Sequence, residues 1–71
     1  MRKKVILISG AAGEIGQALI KALAESGKNN ILAIDLNSVP DQMKQYCQVA
    51  ISGDITDDKL FERLLSEYEI P

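Results

Sequence analysis

The chain has 71 residues, 46% of them hydrophobic, with a net charge of −2, one cysteine and no histidine. That length allows one small domain, which buries only about 60% of the surface its unfolded chain exposes and is therefore marginally stable. Interspersed charges exclude a basic nucleic-acid footprint, and Tyr46, Phe61 and Tyr68 are too few to build a stacking platform for single-stranded bases.

The apolar content is too high for a disordered tail. Cys47 has no second thiol to pair with, and without histidine it lacks both a general base and partners for a zinc site. It reads as a small buried hydrophobe, and no metal is expected.

Met1-Arg2-Lys3-Lys4 before Val5-Ile6-Leu7-Ile8 has the outline of a signal peptide. The apolar run is too short, however, and Ser9, Gly10, Gly13 and Glu14 interrupt it. No stretch approaches the roughly 20 apolar residues that span a bilayer. The expectation is a soluble, cytoplasmic chain with no membrane partner.

Val5-Ile6-Leu7-Ile8 is continuous, not alternating, which suits a parallel strand covered on both faces. Next, Ile15, Ala18, Leu19, Ala22 and Leu23 recur at helical spacing and predict a helix over 14–25 with that stripe inward. Gly27 is a suitable C-terminal stop. Ile31-Leu32-Ala33-Ile34 is a second strand ending at Asp35, followed by a loop from Leu36 to Asp41. A short helical turn is expected over 41–46 and a third strand over 48–51, ended by Gly53-Asp54. Thr56 is the expected N-cap of a last helix, whose apolar stripe is Leu60, Phe61, Leu64, Leu65 and Tyr68 and which stops at Ile70-Pro71.

This alternation predicts an α/β protein: a partial Rossmann fold, with a three-stranded parallel sheet of order 3-2-1 and flanking helices. Residues 1–71 would form the N-terminal half of a dinucleotide-binding domain.

The glycines of "ISGAAGEIGQALIKA" carry the functional signal. Gly10 directly follows a strand and permits a sharp turn. Gly13 at the helix entrance leaves the backbone bare to a phosphate. Gly16 lets the helix pack closely. The N–H groups of Glu14 and Ile15, with the helix dipole behind them, are then donors to a pyrophosphate. Asp35 closes the second strand about 20 residues on, where an acid meets the ribose hydroxyls of NAD. Leu36 follows it on the same rim. Asp54, at the end of the third strand, is placed to accept from an adenine amino group, with Ile55 as an apolar wall. Each residue has a plainer reading. A glycine triplet serves many turns, Asp35 can cap its own loop, and Asp54 can cap the next helix. All three at one end of a parallel sheet favour a ligand.

"SGAAGEIG" matches the T/S-G-x-x-G-x-x-G pattern, and "AIDL" and "GDITD" supply the two acids. On these motifs the chain resembles the extended short-chain dehydrogenase/reductases, a group that includes NAD-dependent nucleotide-sugar epimerases and dehydratases and a threonine-dehydrogenase-like branch. The resemblance implies a nicotinamide dinucleotide cofactor. Asp35 would repel the 2′-phosphate of NADP, and Ala11, Ala12, Leu36 and Asn37 stand where NADP-preferring relatives place a basic residue. NAD is therefore the expected cofactor. FAD-binding folds use a G-x-G-x-x-G spacing that is absent.

The family's catalytic Tyr-x-x-x-Lys pair has no counterpart: Tyr46 is followed by Cys47-Gln48-Val49-Ala50. No catalytic residue is assigned. The expectation is the NAD-binding segment of a longer epimerase, dehydratase or dehydrogenase, inactive alone, whose small-molecule or nucleotide-sugar substrate is met only by the longer parent. Its first strand would expose an edge open to self-association. The alternatives are a non-catalytic nucleotide-binding module and a small α/β interaction module.

Overall fold

A computed structural model describes residues 2–70. In chain order it contains β1 (Lys3–Lys4), β2 (Ile6–Ser9), α1 (Glu14–Glu25), β3 (Ile31–Asp35), α2 (Asp41–Lys44), β4 (Val49–Ser52), α3 (Asp58–Glu67) and β5 (Tyr68–Glu69). The three longer strands form a parallel sheet of order β2-β3-β4, with Ser9 opposite Ile34 and Asp35 opposite Ser52. This is the expected α/β architecture with its 3-2-1 strand order.

The continuous apolar run of β3 follows from burial on both faces. Ile31 and Ala33 face a core shared with Ile8, Ala11 and Ile20 of the α1 side. Leu32 and Ile34 face the opposite core, with Val5 and Leu64 of the α3 side. Alternation along the strand thus divides its side chains between two layers of helix. Complete burial of residues such as Ile20, Ile31, Leu32, Ile34 and Leu64 is worth about 1.5–3 kcal/mol each.

Helix α1 has the expected bounds, but of its expected stripe only Leu23 packs on the core. Gly16 and Ile20 are buried, whereas Ile15 is 86% and Leu19 47% exposed, and Ala18 and Ala22 also lie outside. The helix carries two overlapping apolar stripes, and close contact at Gly16 turns the smaller one inward. At the other end Gly27 adopts φ +89°, and Lys28 N–H donates to the Leu23 carbonyl at 2.9 Å. Together with the Gly27 N–H bond to Ala24, this forms a Schellman closure.

Helix α3 starts one residue later than expected. Its N-cap is Asp57, not Thr56: Asp57 Oδ1 accepts the N–H groups of Lys59 (3.0 Å) and Leu60 (3.4 Å). Thr56 is unavailable because its hydroxyl and N–H both donate to Asp54. Tyr68 is not helical. It enters β5, which pairs in parallel with β1, Lys3 opposite Tyr68 and Lys4 opposite Glu69. Its ring still packs on the α3-side core. The expected stop at Pro71 lies outside the described residues.

The β5 pairing also changes the expectation of an open first-strand edge. Val5 N–H donates to Glu69 O at 3.0 Å, whereas Ile6 N–H donates to Asn30 O at 2.8 Å on the β3 side. Consecutive N–H groups of an extended strand point to opposite sides. The last strand therefore lies across the first segment from β3, and covers the start of the edge.

Candidate functional site

The carboxyl ends of β2, β3 and β4 and the amino end of α1 meet at one edge of the molecule, the place where ligands bind in parallel sheets of this kind. An open cleft of about 260 Å³ lies there, lined among others by Ser9, Gly10, Asp35, Leu36, Asp54 and Ile55.

The turn from β2 into α1 depends on two glycines. Gly10 has φ +67°, a left-handed conformation that costs an L-residue about 1–2 kcal/mol. A Cβ on Gly16 would lie 2.3 Å from the Gly10 carbonyl oxygen and 2.8 Å from Ala11 Cα, so a side chain there would push α1 off the turn. The expected close approach is therefore to the glycine turn itself. Gly13 is the N-cap, in extended conformation and without a side-chain cap. Its N–H donates to Gly10 O at 3.1 Å. The N–H groups of Glu14, Ile15 and Gly16 find no acceptor among the described residues. They are the orphan donors of the helix start, and the dipole reinforces them as an anion seat.

Asp35 is held against this turn. Its Oδ2 accepts the Ala12 N–H at 2.9 Å, and its Oδ1 accepts the Asn37 N–H at 2.9 Å. These bonds, that to Asn37 first, hold its carboxyl below the ordinary value of 3.8, so it is anionic at neutral pH. Asp35 does cap its own loop, as the plainer reading has it, and also reaches the glycine turn. Two lone-pair directions remain on a carboxylate that accepts two bonds. Leu36, 70% exposed, stands on the lip of the cleft, its carbonyl accepting from the Ser52 hydroxyl at 3.3 Å.

Gly53 N–H donates to the Asp35 carbonyl at 2.8 Å, which sets the end of β4 beside the end of β3. Asp54 follows. Its Oδ1 accepts the Thr56 hydroxyl at 2.7 Å and the Thr56 N–H at 2.9 Å, and these bonds lower its pKa from the ordinary 3.8. It shapes the turn before α3 but does not cap the helix. Ile55 is half-buried and packs on the α3-side core.

Of the expected site residues, Gly10, Asp35, Leu36, Asp54 and Ile55 line the cleft, while Gly13, Glu14, Ile15 and Gly16 stand beside it at the start of α1 and do not line it, Ile15 being largely exposed. The structure also brings in Gln17, which the sequence did not single out. Gln17 Nε2 donates to the Ala12 carbonyl at 2.7 Å. The only available signal was an amide side chain directly after the third glycine. Among the described residues the ion pairs are Lys44–Asp41 and Arg63–Glu67, so neither Asp35 nor Asp54 has a cationic partner.

Comparison with known proteins agrees with this geometry. The model of the NAD dependent epimerase/dehydratase family matches residues 6–71. The ADP-L-glycero-D-manno-heptose-6-epimerase of Thiobacillus denitrificans (strain ATCC 25259 / T1) is 40% identical over 53 residues, which are 72% of this chain and 16% of that protein. The chain therefore spans about a sixth of the length of this curated relative. No solved structure matches it significantly. With a parallel sheet, a glycine turn into a bare helix start and a family match over nearly all its residues, the chain belongs to the NAD dependent epimerase/dehydratase family.

Proposed function

We propose that residues 1–71 are the N-terminal half of a dinucleotide-binding domain and hold the ADP-ribose portion of NAD. The observation that carries this reading is the pairing of an unfilled helix start, Glu14 to Gly16, with an anionic Asp35 tied to the same turn. In this reading the pyrophosphate sits on the three N–H groups. Asp35 accepts from the adenosine ribose hydroxyls. Asp54 and Ile55 receive the adenine, with Leu36 over its edge. When bound, a nicotinamide dinucleotide supplies reversible hydride acceptance; this chain's residues supply binding and orientation.

The carboxylate of Asp35 argues for NAD over NADP. No lysine or arginine lines the cleft. A second negative charge beside this exposed carboxylate is repelled, which lowers affinity by about fivefold or more. β5, lying across the first segment from β3, is read as the beginning of a fourth sheet position. The family match and the relative's name support an epimerase, dehydratase or dehydrogenase acting on a nucleotide sugar as the function of a longer parent.

The test is titration calorimetry with NAD and NADP. NAD should bind at least about fivefold more tightly, and Asp35→Ala should reduce that ratio. Equal affinities, unchanged by Asp35→Ala, contradict the assignment of Asp35 to the ribose.

A further inference from the structure

We infer that Gln17 is a positioning residue of the dinucleotide site, fixing the Ala12 backbone so that its N–H meets Asp35 and the glycine turn is held ready for the pyrophosphate. The inference deepens the dinucleotide reading above and rests on it.

Three successive N–H groups of the glycine turn, those of Ala11, Ala12 and Gly13, are bonded within the protein, whereas those of Glu14 to Gly16 are not. Ala11 N–H donates to Ile34 O at 3.2 Å, Ala12 N–H to Asp35 Oδ2 at 2.9 Å, and Gly13 N–H to Gly10 O at 3.1 Å. The peptide between Ala12 and Gly13 is held at both ends, its carbonyl by Gln17 Nε2 at 2.7 Å and its N–H by Gly10. A carbonyl can only accept, so the amide nitrogen of Gln17 must face it, which fixes that side chain's orientation. Gln17 comes from the first turn of α1, and its own N–H donates to Gly13 O at 2.9 Å. One residue thereby bridges the helix start and the turn, from Gln17 through Ala12 to Asp35, and joins the phosphate half of the site to the ribose half. Preorganised donors and acceptors of this kind raise affinity by sparing the cost of ordering them on binding.

A merely structural glutamine would change stability alone. The positioning role predicts a change at Asp35, because the Ala12 N–H is one of the two donors that hold the carboxylate at 2.9 Å. The experiment compares the protein with Gln17→Met, which keeps length and removes the donor. Carbon-detected NMR follows the Asp35 and Asp54 carboxyls against pH, and amide exchange follows Ala12. In Gln17→Met the Asp35 midpoint should rise toward the ordinary aspartate value while Asp54, bonded to Thr56, stays in place. Ala12 exchange should quicken by up to about tenfold, as the bond that holds its carbonyl is lost. ADP-ribose affinity should fall by about tenfold and adenine affinity should not. An unchanged Asp35 midpoint and unchanged Ala12 exchange in a folded Gln17→Met overturn the inference. Should the unaltered protein fail to bind ADP-ribose, the dinucleotide reading fails, and the carboxyl and amide measurements still decide what Gln17 does. If Gln17→Met does not fold, Gln17→Glu provides the second arm: near neutral pH its carboxylate cannot donate to Ala12, and the same quickening of Ala12 exchange is expected there.

Discussion

Asp35 Oδ2 accepts the Ala12 N–H at 2.9 Å, and this bond ties the end of β3 to the turn between β2 and α1. Through it the acid proposed to meet the ribose and the helix start proposed to meet the pyrophosphate keep a fixed separation. The consequences can be measured residue by residue.

Gly16→Ala should destabilise the protein and weaken dinucleotide binding together. The added Cβ meets backbone, the Gly10 carbonyl oxygen at 2.3 Å and Ala11 Cα at 2.8 Å, and neither can swing aside as a flexible side chain would. Overpacking of this kind costs about 1–3 kcal/mol. In a domain of this size that lowers the thermal midpoint by about 4–8 °C per kcal/mol. An unchanged midpoint would show that α1 does not press on the turn.

The two stripes of α1 should respond oppositely to truncation. Ile20 is fully buried and Ile15 is 86% exposed. Ile20→Ala should cost about 2–5 kcal/mol, enough to unfold a marginal domain. Ile15→Ala should stay within about 0.5 kcal/mol. Thermal melts followed by circular dichroism check both; the reverse order would mean the helix is turned the other way.

At the start of α3, Asp57→Ala should cost about 1 kcal/mol, because its carboxylate accepts from Lys59 and Leu60. Thr56→Ala removes no cap from the helix. It removes the hydroxyl donor to Asp54 and should raise the pKa of Asp54, observable by NMR titration.

Acid should destabilise through Asp35 and Asp54. Both have folded pKa values lowered from 3.8, Asp35 by the N–H groups of Asn37 and Ala12, Asp54 by the hydroxyl and N–H of Thr56. A lowered folded value means stability that is fully present above the unfolded pKa and is lost as pH falls through the folded one. The thermal midpoint contributed by these groups should therefore hold from neutrality to about pH 4 and fall below it. A double variant, Asp35→Asn with Asp54→Asn, should show a shallower acid limb. An identical limb would show that these bonds do not persist in solution.

Much of this was legible in the sequence. The β-branched runs and the absence of alternation announced strands buried on both faces, and Gly27 announced the end of α1. Gly10 and Gly16 could be read because a left-handed turn and a backbone contact leave glycine as the natural residue. The inward face of α1 was not legible. Bulk favours Ile15 and Leu19 as core, while the turn selects the face on which Gly16 lies, and that contact is tertiary. Tyr68 continued the periodicity of α3 and was drawn instead into pairing with Lys3, a partner distant in sequence. Thr56 and Asp57 are both good caps, and the choice depended on Asp54 engaging Thr56 first. Gln17 was hidden for the same reason, since its acceptor is a carbonyl whose direction only the folded turn sets.

The central claim is that ADP-ribose sits on the first turn of α1 and reaches Asp35. Amide-resolved NMR during an ADP-ribose titration tests it most directly. The account predicts that the Glu14, Ile15 and Gly16 amides and the Asp35 carboxyl shift together with one dissociation constant, and that Gly13→Val abolishes all four changes. Shifts confined to other surfaces, or binding that survives Gly13→Val undiminished, would contradict it.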